Sequence, residues 1–332
     1  MKKVFNILKW TGIVLSMLFV ILASVYLLGP RPARVEISNN PLKAVETLPS
    51  TDKAPGLKKN NEARIIWADS VGQKTKYSIV YLHGFSAGPM EAEPLHRELA
   101  ARYGCNLYLE RMKGHGIDDL EAFTTLTPRD MVESAKEAIS IGKAIGEKVI
   151  LLSCSTGGTL ALYLSAKDPE IVANILLSPN IALADPNSFV LTGPWGLQIG
   201  RFFMGGKYRS WTPENDSVKQ YWTSKYRVEG IIAVKQLVEQ TMNKEIFAAV
   251  KQPVFLGYYF KNEKEQDQTV SVAAMLKMFD QLGSPADQKV KKAFPNAGTH
   301  VICSKWQSKD LAAVKTEIIS FMDNVLKLKA VE

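Results

Sequence analysis

Ser155 ends a run of mostly apolar residues, Lys148-Val149-Ile150-Leu151-Leu152-Ser153-Cys154, and is followed at once by Thr156-Gly157-Gly158. A serine at the tip of a sharp strand-to-helix turn is presented as a nucleophile, and such a turn tolerates only small side chains two positions to either side. Ser153 and Gly157 meet that demand for Ser155. Cys154 would need small residues at 152 and 156 and finds Leu152 and Thr156, so Ser155 is assigned the tip. A serine hydroxyl attacks poorly until an imidazole takes its proton, so a histidine is required. Of the four histidines, His300 in Asn296-Ala297-Gly298-Thr299-His300-Val301 falls after a strand-like segment and before the last helix, where that base belongs. A carboxylate should follow the strand at Val254, giving the chain order serine, acid, histidine. Glu263, Glu265 and Asp267 compete for the role; Asp267 leads because it immediately precedes a helix, whereas the glutamates sit among lysines as solvated charge.

The same chemistry needs hydrogen-bond donors for the oxygen that becomes negative. The strand ending Tyr81-Leu82 runs into His83-Gly84-Phe85-Ser86-Ala87-Gly88, a turn that leaves an amide free to face the nucleophile. The residue after the serine supplies a second donor. The oxyanion hole is therefore assigned to the backbone N–H groups of Phe85 and Thr156. Each such donor is worth about 3 kcal/mol in a measured case. His83 is read as a structural residue of the turn, His96 as a surface residue of a helix, and His115 as a residue shaping the rim of the site.

The elements that must hold these residues alternate along the chain. Strands are expected near 63–68, 77–82, 105–109, 148–153, 171–177, 253–259 and 289–294. Helices are expected over 93–103, from Pro128, over 156–166 and 270–282, and at the C-terminus. Thr127 before Pro128, with Asp130 in the first turn, is a helix start that caps free amides and complements the dipole. Leu311, Val314, Ile318, Phe321, Val325 and Leu328 give the last helix one buried face. Continuous apolar strands alternating with helices predict an α/β fold, a mostly parallel sheet covered on both sides. The interval 180–250 breaks the rhythm with Phe189, Trp195, Phe202, Phe203, Tyr208, Trp211, Tyr221, Trp222 and Tyr226. It is expected to cap the carboxyl ends of the strands, some aromatics lining an acyl pocket and the rest holding the cap together.

These motifs resemble the α/β-hydrolase superfamily, in particular its monoacylglycerol lipase, lysophospholipase and serine aminopeptidase-like branch. The resemblance spans about 62–330. It rests on His83-Gly84-Phe85, on Arg111-Met112-Lys113-Gly114-His115-Gly116, on the Ser155 turn, on Asp267 three residues before Val270, and on Gly298-Thr299-His300-Val301. Ser153 replaces the usual glycine, and the acid loop is longer than usual. The resemblance implies an inserted helical cap and hydrolysis of esters or, less often, peptides. It requires no metal and no organic cofactor.

The chain has 332 residues, of which 46% are hydrophobic and 22% charged, a globular balance that does not suggest disorder. From Trp10 to Leu28 no residue is charged, and such a stretch spans about 28 Å at 1.5 Å per residue, close to a bilayer's apolar thickness. Residues 1–29 are therefore expected to be an uncleaved transmembrane anchor and 30–61, with Pro30, Pro32, Pro41, Pro49 and Pro55, a stalk. Residues 62–332 form the hydrolase domain. Lys2, Lys3 and Lys9 before the span nearly balance Arg31, Arg34 and Lys43 after it. The short N-terminal tail and the long domain behind it place the domain outside the cytoplasm. The net charge of +8 is spread without a basic, aromatic-laced cluster, which argues against nucleic acid as a partner. Cys105, Cys154 and Cys303 cannot all pair with one another and lack metal-site spacing. The expected activity is cleavage of carboxylic esters such as acylglycerols or lysolipids. A peptidase and a non-catalytic membrane-tethered binding module are the alternatives.

Overall fold

The computed structural model describes residues 2–45, 47–48 and 52–331. Pro49, one of the five prolines of the expected stalk, lies outside the described residues. In chain order the elements are α1 (Lys2–Leu27), β1 (Arg64–Ile66), β2 (Thr75–Leu82), α2 (Leu95–Arg102), β3 (Asn106–Leu109), α3 (Pro128–Ile145), β4 (Gly146–Cys154), α4 (Thr156–Ser165) and β5 (Ile171–Leu177). A 3₁₀ turn (Pro186–Thr192) opens an excursion made of α5 (Gly196–Phe203), β6 (Tyr208–Ser210), α6 (Asp216–Tyr221), β7 (Lys225–Arg227), α7 (Val228–Thr241) and α8 (Lys244–Ala249). The alternation then resumes with β8 (Val254–Tyr258), α9 (Val272–Gln281), β9 (Lys289–Ala293) and α10 (Leu311–Asn324).

Seven strands form one sheet in the order β1-β3-β2-β4-β5-β8-β9, and β1 alone pairs antiparallel. Alternate residues of each central strand feed opposite faces. Val80, Leu82, Val149, Leu151 and Leu176 pack beneath α3, α4, α7 and α9. Ile79, Tyr81, Ile150, Leu152 and Ile175 pack on the other side against α2 and α10. Burial on both faces explains why these strands read as unbroken apolar runs. Close approach to the sheet is built into α3: a Cβ on Gly142 would lie 2.4 Å from Val80 Cγ2. The start of α3 is a full capping box, Thr127 taking the Asp130 amide while the Asp130 carboxylate takes that of Thr127. The last helix stops at Asn324, earlier than its apolar spacing suggests; Val325 and Leu328 follow it and still pack against the core.

The segment expected to be a loose stalk is laid down as a strap. Gln236 Nε2 donates to Ala33 O, and one turn later Gln240 takes the Ile37 amide and donates to Val35 O. Asp52 forms a two-pronged ion pair with Arg111 at 2.5 and 2.8 Å. These partners belong to α7 and to the loop after β3, so the strap crosses both. At its N-terminal end, where the chain leaves α1, Trp195 donates its amide to Pro30 O and its indole N–H to Val25 O. Gly29 is required there, because a Cβ would sit 1.9 Å from the Trp195 indole nitrogen. Within α1, the segment Phe5–Leu27 has a mean hydropathy of 2.1 and buries nothing against the domain, which makes it a candidate membrane span.

Candidate active site

Ser155 joins β4 to α4 with φ 51° and ψ −117°, a conformation that costs a non-glycine residue about 1–3 kcal/mol. The surroundings over-determine it: the Ser155 amide donates to Leu177 O on β5, and its carbonyl accepts the amides of Gly158 and Asn180. The small-residue demand has a visible cause. A Cβ on Gly157 would stand 2.0 Å from Leu82 O, and one on Gly158 would stand 2.6 Å from Pro179 Cβ. At the departing position, Ser153 is fully buried and its hydroxyl donates to Ile175 O at 3.3 Å, so the extra atoms fit and their polarity is satisfied. Cys154 lies on the opposite side of the turn, in the core. Its contact with the Cys303 thiol, reinforced by burial, pushes its pKa well above the usual thiol range and keeps it protonated.

Immediately beyond β2 the turn His83-Gly84-Phe85 is locked by its own histidine. Met112 N–H donates to His83 Nε2 at 3.0 Å, which leaves the proton on Nδ1 to donate to Gly84 O at 2.8 Å. That carbonyl shares its peptide plane with the Phe85 N–H, so the histidine sets the direction of the donor. Burial lowers the His83 pKa to about 4, so the ring stays neutral. Among the described residues neither the Phe85 amide nor the Thr156 amide is taken by a protein acceptor. Thr156 also opens α4, where the helix dipole favours negative charge.

His300 Nδ1 and Asp267 Oδ2 are 2.6 Å apart. The carboxylate is buried, and its other oxygen takes the amides of Thr269 and Val270 at 2.8 and 3.1 Å, which holds Asp267 at the start of the turn into α9. Burial works against a charged imidazole, but Asp267 and, beyond it, Glu91 outweigh it and raise the His300 pKa above its usual value. His300 Nε2 has no hydrogen-bond partner among the described residues. Glu263 and Glu265 remain exposed on the loop, Glu265 paired with Lys261.

Two histidines sit differently from their sequence reading. His96 is fully buried rather than on the surface, its ring 5.4 Å from that of Tyr81, because α2 turns that face onto β2. His115 does not shape a rim; it is buried beneath the His83-Gly84-Phe85 turn, 5.1 Å from His83 and 4.5 Å from Phe123. The excursion's aromatics mostly act as glue. Tyr226 packs on Phe85 and Phe123, Tyr221 stacks on Trp306, and Trp222 meets Trp306 edge-on, while Phe189, Phe202 and Phe203 face outward. For Tyr221, Trp222 and Tyr226 the structure shows the gluing role expected of most of these aromatics. Sequence reasoning passed over Glu91. It is 2% exposed and its Oε2 accepts both the Gly84 amide and the Tyr81 hydroxyl, a role that no spacing along the chain announces.

A family model described as "Alpha/beta hydrolase family" matches residues 79–305. A thermostable monoacylglycerol lipase of Bacillus sp. (strain H-257) is 28% identical over 170 residues, which cover 50% of this chain and 63% of that protein. The chain thus matches somewhat less than two thirds of the length of that relative. Among solved structures, the metagenome-derived lipolytic enzymes LipS and LipT give a TM-score of 0.64 at 15% identity, covering 80% of this chain and 98% of theirs. A soluble variant of the monoglyceride lipase from Saccharomyces cerevisiae, in complex with a substrate analog, gives 0.60 at 14% identity, covering 89% and 98%. At such identities the structural likeness speaks for the fold alone.

Proposed function

Since the chain belongs to the alpha/beta hydrolase family, we propose that it is a membrane-anchored serine hydrolase cleaving carboxylic esters of the acylglycerol or lysolipid class. Ser155 Oγ attacks the ester carbonyl while His300 Nε2 takes its proton. Asp267 holds the imidazole through Nδ1 and balances the charge it acquires. The amides of Phe85 and Thr156 stabilise the tetrahedral oxyanion. His300 then returns the proton to the departing alcohol, leaving an acyl group on Ser155 that water removes by the same steps in reverse.

The observation that carries this reading is the His300–Asp267 contact at 2.6 Å with His300 Nε2 left free, both residues standing beyond strands of the sheet whose central strand ends at Ser155. An ester of lipid character is favoured by the monoacylglycerol lipase relative and by the join between the apolar helix and the excursion. Trp195 grips the end of α1, so the excursion stands where the helix would leave a bilayer. The domain is assigned to the extracytoplasmic side.

A serine-directed fluorophosphonate should label the full chain, and Ser155→Ala should abolish both labelling and ester turnover. Labelling that persists in the variant would move the nucleophile elsewhere. Absence of labelling in the unaltered chain would favour a non-catalytic tethered module. Aminoacyl anilides cleaved faster than acyl esters would turn the reading towards a peptidase.

A further inference from the structure

Behind the nucleophile lies a carboxylate that the proposed serine mechanism does not use. Glu91 is 2% exposed, and both of its clear hydrogen bonds end on one oxygen: Oε2 accepts the Gly84 amide at 2.8 Å and the Tyr81 hydroxyl at 2.7 Å. The other oxygen lies beside the Gly84 backbone, which in turn runs close to Ser155. The gap that a side chain on Gly84 would need is closed by Glu91 Oε1 on one side, at 2.9 Å, and by Ser155 Cβ on the other, at 3.1 Å. Tyr81 continues the contact, since its hydroxyl is 3.9 Å from Cys303 Sγ on the loop that carries His300. One side chain therefore holds the Gly84 turn that runs beside Ser155, and through Tyr81 it reaches the histidine loop.

We propose that Glu91 is a positioning residue for the reaction at Ser155, fixing the oxyanion turn through the Gly84 N–H and adding a second negative charge behind His300. The inference rests on the serine hydrolase reading above. Gly84 carries both anchors of the turn: its amide is held by Glu91 and its carbonyl by His83. With both ends fixed, the Phe85 N–H has one orientation. For the histidine, the charge matters more than the hydrogen bonds. An imidazolium forms while Ser155 attacks, and two buried carboxylates, Asp267 and Glu91, favour it over the neutral ring. The other titratable groups facing this cluster are Tyr81, Cys154 and Cys303. Burial and their acidic neighbours hold the Tyr81 hydroxyl and the Cys154 thiol protonated, so neither cancels the carboxylate charge. Burial raises the Glu91 pKa above its usual value, while the Tyr81 hydroxyl, the Gly84 amide and the His300 charge oppose that rise and favour the ionised carboxylate.

Glu91→Gln in the full-length protein separates charge from shape. Because both hydrogen bonds share one oxygen, a glutamine can present its carbonyl there and keep them. On a water-soluble ester, the acid limb of kcat/KM should move to lower pH by about half a unit to one unit, because an ionised carboxylate nearby favours the charged imidazole. At its plateau kcat should fall roughly three- to tenfold with KM unchanged, as expected when a group acts through the transition state. The His300 ring resonances, titrated by NMR, should shift their midpoint in the same direction by a similar amount. Glu91→Met, apolar and of similar length, removes the charge as well and should lower that midpoint too, so either variant that folds decides the matter. A pH profile and a His300 titration that superimpose on those of the unaltered chain would reduce Glu91 to a staple of the turn and overturn the proposal. The titration needs no turnover, so it stands even where the unaltered chain shows no Ser155-dependent esterase, the result that would sink the functional reading instead.

Discussion

At the carboxyl ends of the strands, the candidate site combines bonds between near neighbours in the chain, His83 to Gly84, Asp267 to Thr269 and Val270, and Ser155 to Gly158, with bonds between adjacent turns, Ser155 to Leu177, Met112 to His83 and His300 to Asp267. Along the strap the partners are remote. Ile37 reaches Gln240 across 203 residues, and Trp195 reaches back 170 residues to Val25. The first arrangement fixes atoms to the tolerance that chemistry needs; the second fixes where the whole domain stands relative to α1. Bonds among turns at one edge of the sheet make the site, and contacts across far more of the chain orient it on α1. Damage to one should therefore leave the other standing.

The largest effect should come from Ser155→Ala, which is expected to lower ester turnover by about six orders of magnitude if the residue is the nucleophile. Thermal unfolding should stay unchanged or rise slightly, since the strain at φ 51° is relieved only in part by a smaller side chain. Residual turnover within tenfold of the unaltered protein would break the assignment. Asp267→Asn should cost about four orders of magnitude in kcat, because the imidazole loses the partner that fixes its tautomer. The sign of the pH dependence follows from the raised His300 pKa. The base must be neutral, so kcat/KM is full above that pKa and falls as the pH drops through it. Removing the Asp267 charge should carry the limb to lower pH, and a shift to higher pH would contradict the electrostatics.

Much of this division is already written in the residues. The alternation of apolar runs announced the sheet, and Gly157 announced a crowded turn because only a missing Cβ clears Leu82 O. Thr127 and Asp130 announced the start of α3 through a local bond. What stayed hidden depends on which remote surface arrives. His96 has the sequence context of an exposed helical residue and is buried because Tyr81 lies opposite. Glu91 is one acid among several in Met90-Glu91-Ala92-Glu93 until the turn folds back on it. The strap's prolines signal an absence of helix, but nothing in them names Gln236 and Gln240 as their receptors.

Smaller effects should test the aiming. Trp195→Ala, in protein reconstituted in bilayers, should reduce turnover of a membrane-embedded long-chain ester by roughly two- to fivefold. Hydrolysis of a short soluble ester should stay within experimental error, since neither α1 nor Trp195 contributes an atom to the hydrogen bonds around Ser155. Equal losses on both substrates would tie the join to the chemistry and erase the contrast. Replacing Gln236 and Gln240 by alanine removes three hydrogen bonds to the strap. Each is worth about 1 kcal/mol, and at roughly 2–4 °C per kcal/mol for a domain of this size the melting temperature should fall by roughly 6–12 °C. Calorimetry of the detergent-solubilised chain would measure it.

Gly29 lets the Trp195 indole close against the end of α1 with no spare chain between them. On the proposal that α1 spans a bilayer, a site tethered so tightly would explore a surface rather than a volume. Its encounters would then be governed by lateral diffusion, and its velocity would scale with the mole fraction of ester in the bilayer instead of with the amount of ester in the suspension. Diluting the substrate with inert lipid, at constant total ester, would slow such an enzyme, whereas the same domain cut free of α1 would not feel the dilution in the same way. In that case the anchor sets the dimensionality of the search, and the crowding at Gly29 sets how closely the site follows it.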